Sequence, residues 1–234
     1  MNATRLIALP GTLLDDRSLA KVLEGHPATT LIVGESATLD EEVDRLAARA
    51  AVPAVWLGHS LGGIVALHLA QRHPRSVAAL VLLGSNARAG RDTNEARRTA
   101  QWTVAQSEGL TALVRKELAP GYGLTPGLDF DEGLLSSLAS QAEAVGLRRF
   151  EHQLAYARQR PGLLAPLQQL KCPTMALSAE RDTLCPPEHS DEIKNLVAPS
   201  GRAAHHMLAG AGHLFPMQQA GWVAEHLRRF LASL

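Results

Sequence analysis

The sequence predicts an α/β fold: a mostly parallel sheet of about six strands, helices on both faces, and a helical insertion. Three observations carry this. Apolar runs at 5–9, 29–33, 54–57, 77–83 and 172–178 lack polar alternation, and segments of helical spacing separate the first four. The run at 54–57 passes through Gly58-His59-Ser60-Leu61-Gly62 into a helix marked by Leu61, Ile64, Val65, Leu67 and Leu69. Between 86 and 166 the strand rhythm stops, and it resumes beyond Leu170.

Taken in order, strand 5–9 is turned by Pro10-Gly11-Thr12. Leu14, Leu19, Val22 and Leu23 give a helical face ending near Gly25, and strand 29–33 stops at Gly34. Thr38-Leu39-Asp40-Glu41 has the form of a capping box, with Thr38 at the N-cap and Glu41 reaching back. Leu39, Val43, Leu46 and Ala50 continue at helical spacing. The helix after Ser60 ends before Pro74. Segments 93–107, 110–118, 131–145 and 147–159 read as helices separated by Gly and Pro. After strand 172–178 come a loop and a helix through Ile193, then a last strand at 204–209. Pro216 suits the first turn of a final helix whose face is Val223, Leu227, Phe230, Leu231 and Leu234. The expected organisation is a core of 1–85 and 167–234 with a helical cap over 86–166.

Composition excludes several classes. The chain has 23 basic and 23 acidic residues, no net charge, and 46% hydrophobic residues. It carries no electrostatic footprint for nucleic acid or an anionic membrane. No run reaches transmembrane length and the start lacks a signal peptide's apolar core, so a cytoplasmic location is expected. Cys172 and Cys185 are expected to be thiols. No metal-ligand spacing occurs; His205-His206 reads as a stray surface pair.

The stretch at 54–67 is the strand–turn–helix context of a nucleophile elbow. A serine in so tight a turn holds its hydroxyl clear of both elements, and side chains at Gly58 or Gly62 would collide as strand and helix pass. A serine needs a histidine base, itself oriented by an acid. Asp182 after the resumed strand and His213 in the Gly-rich turn supply them, in the order Ser…Asp…His. His59 lies inside the elbow, with its side chain directed away from Ser60. Backbone N–H groups of Leu61 and Thr12 are the candidate oxyanion donors, with Leu13 as runner-up. Cys185, three residues past Asp182, is expected near the site or packed in its loop. Arg88, Arg91, Arg97 and Arg98 read as a solvated helix face, the alternative being recognition of an anionic substrate or carrier.

Five motifs carry a family likeness: Leu9-Pro10-Gly11-Thr12-Leu13-Leu14-Asp15, Gly58-His59-Ser60-Leu61-Gly62-Gly63, Leu170-Lys171-Cys172-Pro173-Thr174, Asp182 with Pro186-Pro187, and Gly210-Ala211-Gly212-His213. On these the chain resembles the α/β-hydrolase superfamily, closest to small serine esterases with a helical cap. Two departures stand out: Pro10-Gly11 where many relatives carry His-Gly, and a shortened loop, Gly34-Glu35-Ser36-Ala37, after the second strand. The resemblance implies a carboxylic ester hydrolase with a Ser60–His213–Asp182 triad and no cofactor or metal. Thioesters, lactones and cofactor-free C–C cleavage need the same machinery. A ligand-binding receptor on the same scaffold is the alternative outside catalysis. The expected pocket residues are Leu13, Trp102, Leu138, Phe150 and Leu214, with Val104, Leu110, Leu113 and Leu154 also facing it. The expected substrate is a soluble ester of short-to-medium acyl length, and the cap arginines are the expected contact for any acyl-carrier partner.

Overall fold

The computed structural model describes residues 5–90, 95–122, 132–197 and 202–234. Six strands, β1 Leu6–Leu9, β2 Ala28–Thr30, β3 Ala54–His59, β4 Val77–Leu83, β5 Thr174–Ala179 and β6 Ala203–Leu208, form one sheet. Every pairing is parallel and the order is β2-β1-β3-β4-β5-β6. Strands β1, β3 and β5 are buried along their whole length, which is why their sequences carry no polar alternation.

Alternate residues feed two cores. Ile7, Leu9, Trp56, Leu80 and Leu82 pack against α1 (Leu39–Ala47), α2 (Leu61–Arg72) and α7 (Pro187–Val197). Leu6, Ala8, Val55, Leu57, Val81 and Leu177 face Leu19, Val22 and the helix α9 (Ala220–Ala232), which follows a short α8 (Phe215–Gln218). The inserted helices are α3 (Glu95–Glu108), α4 (Leu110–Leu113), α5 (Glu132–Val145) and α6 (Leu147–Gln159). They share a third cluster with Leu13, Leu14 and Leu214 of the sheet-end loops.

This order positions the site. The chain leaves β1 toward β2 and returns on the other side of β1 to β3. At such a reversal the loops beyond the strand carboxyl ends diverge and leave a crevice. The loop after β1 and the elbow after β3 flank it.

Several sequence expectations need adjustment. Leu14, Leu19, Val22 and Leu23 do not share a helix; only a 3-10 turn over Asp16–Ser18 forms, capped by Asp15. The physical reason is that Leu14 packs with the inserted helices, whereas the other three pack beneath the sheet. The helix read over 110–118 widens into a π turn at Val114–Leu118. The capping box forms as read: Glu41 N–H donates to Thr38 Oγ1 and Thr38 N–H to Glu41 Oε2. His205 is not a stray surface residue; its ring bridges Ser178 Oγ, 2.7 Å, and Asp191 Oδ1, 2.8 Å, tying β5 to α7. Arg91, Asp131 and residues 93–94 of the predicted helices lie outside the described residues. Among the described residues no helix is long and apolar enough to cross a membrane.

Candidate active site

The turn from β3 into α2 holds Ser60 at φ +52°, a left-handed conformation that a side chain adopts only under constraint. The constraint is close packing. A Cβ on Gly58 would overlap Gly63, and one on Gly62 would overlap the Leu9 carbonyl, so strand, elbow and helix touch backbone to backbone. Ser60 N–H donates to the Leu83 carbonyl at 2.9 Å, and Ser85 Oγ donates to the Ser60 carbonyl at 2.9 Å. The main chain around the hydroxyl is held from both sides.

Ser60 Oγ lies 2.9 Å from His213 Nε2, and His213 Nδ1 lies 2.7 Å from Asp182 Oδ2. Asp182 is buried, and its other oxygen accepts N–H bonds from Leu184 at 2.9 Å and Cys185 at 2.8 Å. Burial pushes the Asp182 carboxyl pKa up, but His213 and these two N–H groups outweigh it, so the carboxyl sits below its ordinary value. His213 is fixed along its own backbone as well: its N–H donates to the Tyr122 carbonyl at 2.7 Å, and the Tyr122 ring stacks on it at 5.8 Å. Such an array can take a proton from a serine hydroxyl and hold the charge that results.

The loop after β1 completes the front. Leu13 sits at φ +55°, and its N–H donates to Gln153 Oε1 of α6 at 3.0 Å. That N–H is already committed. Thr12 and Leu61 line the same cavity as Ser60. Gln153 Nε2 also donates to the Val33 carbonyl at 2.9 Å, so one buried amide ties an inserted helix to the loops after β1 and β2. Buried Glu42 holds the second loop from beneath, accepting from Gly34 N–H at 2.9 Å and Ser36 N–H at 3.1 Å.

A sequence profile of the Alpha/beta hydrolase family matches residues 7–226. The chain belongs to the alpha/beta hydrolase family. Among its relatives, pimeloyl-[acyl-carrier protein] methyl ester esterase of Xanthomonas oryzae pv. oryzae is 31% identical over 198 residues, spanning 80% of this chain and 74% of that one. The enzyme of the same name from Xylella fastidiosa is 29% identical over 202 residues, with the same coverage. In architecture the chain is similar to a thermophilic esterase from Thermogutta terrifontis, with a TM-score of 0.84, 20% identity, and 98% and 90% of the two chains covered. It is similar too to MenH from S. aureus, with a TM-score of 0.84, 19% identity, and 100% and 95% covered.

The cavity of this alpha/beta hydrolase at Ser60 has a volume of about 260 Å³. Its apolar lining includes Leu14, Leu61, Ile64, Leu118, Leu154 and Leu214; its polar lining includes Arg97, Arg98, Gln101 and Arg160. Of the expected pocket residues, Leu214 and Leu154 line it. Leu13, Trp102, Leu138 and Phe150 do not, nor do Val104, Leu110 and Leu113. Leu13, Leu138 and Phe150 are buried in the third cluster, and the half-buried Trp102 ring lies 6.3 Å from that of Phe150. Most of the apolar residues of the inserted helices are consumed by packing on one another and on the core, so that beside Leu118 and Leu154 the cavity is lined by Arg97, Arg98, Gln101 and Gln153. The solvated-face reading of the arginines is corrected for the same reason: Arg97 and Arg98 line the cavity, while Arg88 pairs with Glu192. Cys185 lines the cavity but is buried, and burial beside Asp182 pushes its thiol pKa up to about 12.

Sequence reading missed Tyr122, Gln153 and Glu42. For Gln153 a signal existed: it falls on the buried stripe of α6 with Phe150, Leu154 and Tyr156, where a polar residue needs partners. A larger cavity of about 540 Å³ lies at the opposite end of the strands, beside Val77 and Pro173. Lys171 and Cys172 are the titratable residues lining it, and it contains no member of the Ser60 array.

Proposed function

We propose that this alpha/beta hydrolase cleaves carboxylic esters through a covalent acyl-enzyme. The observation that carries this reading is the continuous hydrogen-bonded array from Asp182 through His213 to Ser60, opening on a cavity. Ser60 Oγ attacks the ester carbonyl while His213 Nε2 takes its proton. Asp182 holds His213 with its proton on Nδ1 and stabilises the imidazolium that forms. The Thr12 and Leu61 backbone N–H groups receive the developing oxyanion. The imidazolium then protonates the departing alcohol. Water, deprotonated by His213, releases the acid.

The choice of ester bonds is supported by the names of the Xanthomonas and Xylella relatives. The helices of 86–166 act in this reading as a cap over the strand ends, anchored to the core through Leu13, Leu14 and Leu214. The leucine-lined wall suits a short-to-medium aliphatic group. A fluorophosphonate should label the protein once, at Ser60, and p-nitrophenyl butyrate should be turned over; Ser60→Ala should abolish both. Labelling that persists in Ser60→Ala would assign the nucleophile elsewhere.

A further inference from the structure

We propose that the preferred substrate is an ester that itself carries an oxyanion, a carboxylate or a phosphate, held in the cavity by Arg160 together with Arg97 and Arg98. This rests on Ser60 being the nucleophile of that cavity. Three arginines line it, and among the described residues no aspartate or glutamate does. Glu95, the carboxylate that pairs with Arg158, also acts on Arg98. With three arginines and no described carboxylate in its lining, the cavity concentrates positive charge.

Arg160 is held in place by three hydrogen bonds. It follows α6 and is half-buried. Its Nε donates to the Arg88 carbonyl at 2.9 Å, its Nη1 to the Ala157 carbonyl at 2.9 Å, and its Nη2 to Asn86 Oδ1 at 3.5 Å. These acceptors are neutral. They orient the guanidinium but do not offset its charge, and a guanidinium has five N–H donors, so some are left over. Burial and the facing charge of Arg98 push its pKa down to about 10, which marks a desolvated cation that is still charged at neutral pH. A bound anion relieves that cost, and the planar fork matches carboxylate and phosphate alike. The Arg97 guanidinium lies over Gly121, in space that any side chain at 121 would fill, so it too is seated against the cavity wall.

Because these arginines share one cavity of about 260 Å³ with Ser60, the anion belongs to the reacting molecule itself. Leu14, Leu118 and Leu154 line the same space, so a short aliphatic spacer between ester and anion fits its chemistry.

The test compares p-nitrophenyl hexanoate with mono-p-nitrophenyl adipate and with the matching ω-phosphonate ester. The expected result is a kcat/KM higher by about tenfold or more for at least one anionic ester, mainly through KM. Whichever anion gains more identifies its chemistry. Arg160→Gln should reduce the anionic-to-neutral ratio by a similar factor, and Arg160→Lys should restore part of it. If Arg160→Gln does not fold, Arg97→Gln serves with the same ratio as readout. Equal or lower kcat/KM for both anionic esters overturns the proposal, while Ser60-dependent hexanoate turnover leaves the hydrolase reading intact. If none of the esters is turned over, calorimetric titration of adipate and of butyl phosphate decides. Binding that Arg160→Gln weakens supports the anion site, and no binding overturns it.

Discussion

The ring of His59 donates from Nε2 to the backbone carbonyl of His213 at 3.1 Å, and the two ring centroids lie 5.1 Å apart. A carbonyl only accepts, so the proton is on Nε2. The His59 Nδ1 lone pair is buried without a partner. One histidine of the elbow thus steadies, through the main chain, the histidine that contacts Ser60.

Acidification should expose this arrangement. Burial and the neighbouring His213 lower the His59 pKa from 6.5 to about 3. Between those values the unfolded chain binds a proton that the folded protein refuses. Stability is therefore full above pH 6.5 and falls as pH drops toward 3, by up to about 1.4 kcal/mol per pH unit from this group. His68, lowered to about 4 by burial and by Arg160, adds a term of the same sign. His59→Gln keeps a donor and removes the titration, so urea melts at pH 7 and pH 5 should show a slope reduced by about one proton. An unchanged slope would mean that His59 is not the group refusing the proton.

Asp182→Asn should leave the fold intact and lower kcat by orders of magnitude, about 10⁴ by analogy with the best-studied triad. The asparagine still accepts the Leu184 and Cys185 N–H bonds, but its amide cannot hold His213 with a proton on Nδ1. Circular dichroism and p-nitrophenyl ester turnover, measured on one preparation, check both halves.

Gln153, which lines the Ser60 cavity, is predicted to act through the loop it holds. Gln153→Leu keeps the volume but leaves the Leu13 N–H and Val33 carbonyl without partners. Stranding such groups costs about 1–3 kcal/mol each. The loop that presents Thr12 should loosen, lowering kcat more than it raises KM. A variant that loses stability but keeps kcat would assign Gln153 to scaffolding alone.

How legible all this was depends on the range of the interactions. The elbow, the capping box at Thr38 and the Ser60…Asp182…His213 order follow from local chemistry, because each is set by residues within one turn or at one strand end. The pocket wall is not local. Phe150 and Leu138 have the composition of a pocket lining, yet they pack against other helices, and Arg97 and Arg160 line the Ser60 cavity instead. Periodicity identifies the buried stripe of a helix; it does not say whether the neighbour is a ligand or another helix. The segment after β1 failed for a related reason: Leu14 and Leu19 look like one face but serve two different cores.

The two thiols should resist alkylation in the native protein. Burial raises Cys172 to about 11, and burial with the Asp182 charge raises Cys185 to about 12. At pH 8 the Cys185 thiolate fraction is then on the order of 10⁻⁴, against roughly a fifth for an ordinary cysteine. Iodoacetamide at pH 8 should modify Cys185 only in denaturant, with activity retained in the native sample. Rapid native modification with loss of activity would mean that the loop of Asp182 opens.

Chain length of the substrate should reveal the shape of the cavity. Along its apolar wall each added CH₂ that is buried contributes about 0.8 kcal/mol, close to fourfold in kcat/KM. A cavity of about 260 Å³ fills after a few carbons. Beyond that point added carbons find no further volume in the cavity, because Leu113 and Phe150 of the inserted helices are already fully buried in the third cluster. For neutral p-nitrophenyl esters, kcat/KM should therefore rise from C2 over the first few carbons and then fall. Truncating a wall residue, Leu154→Ala, should move the maximum to longer chains, because the removed side chain borders the cavity directly. A profile that climbs without a maximum to C16, or activation by an oil–water interface, would show that the inserted helices do not close the site in solution.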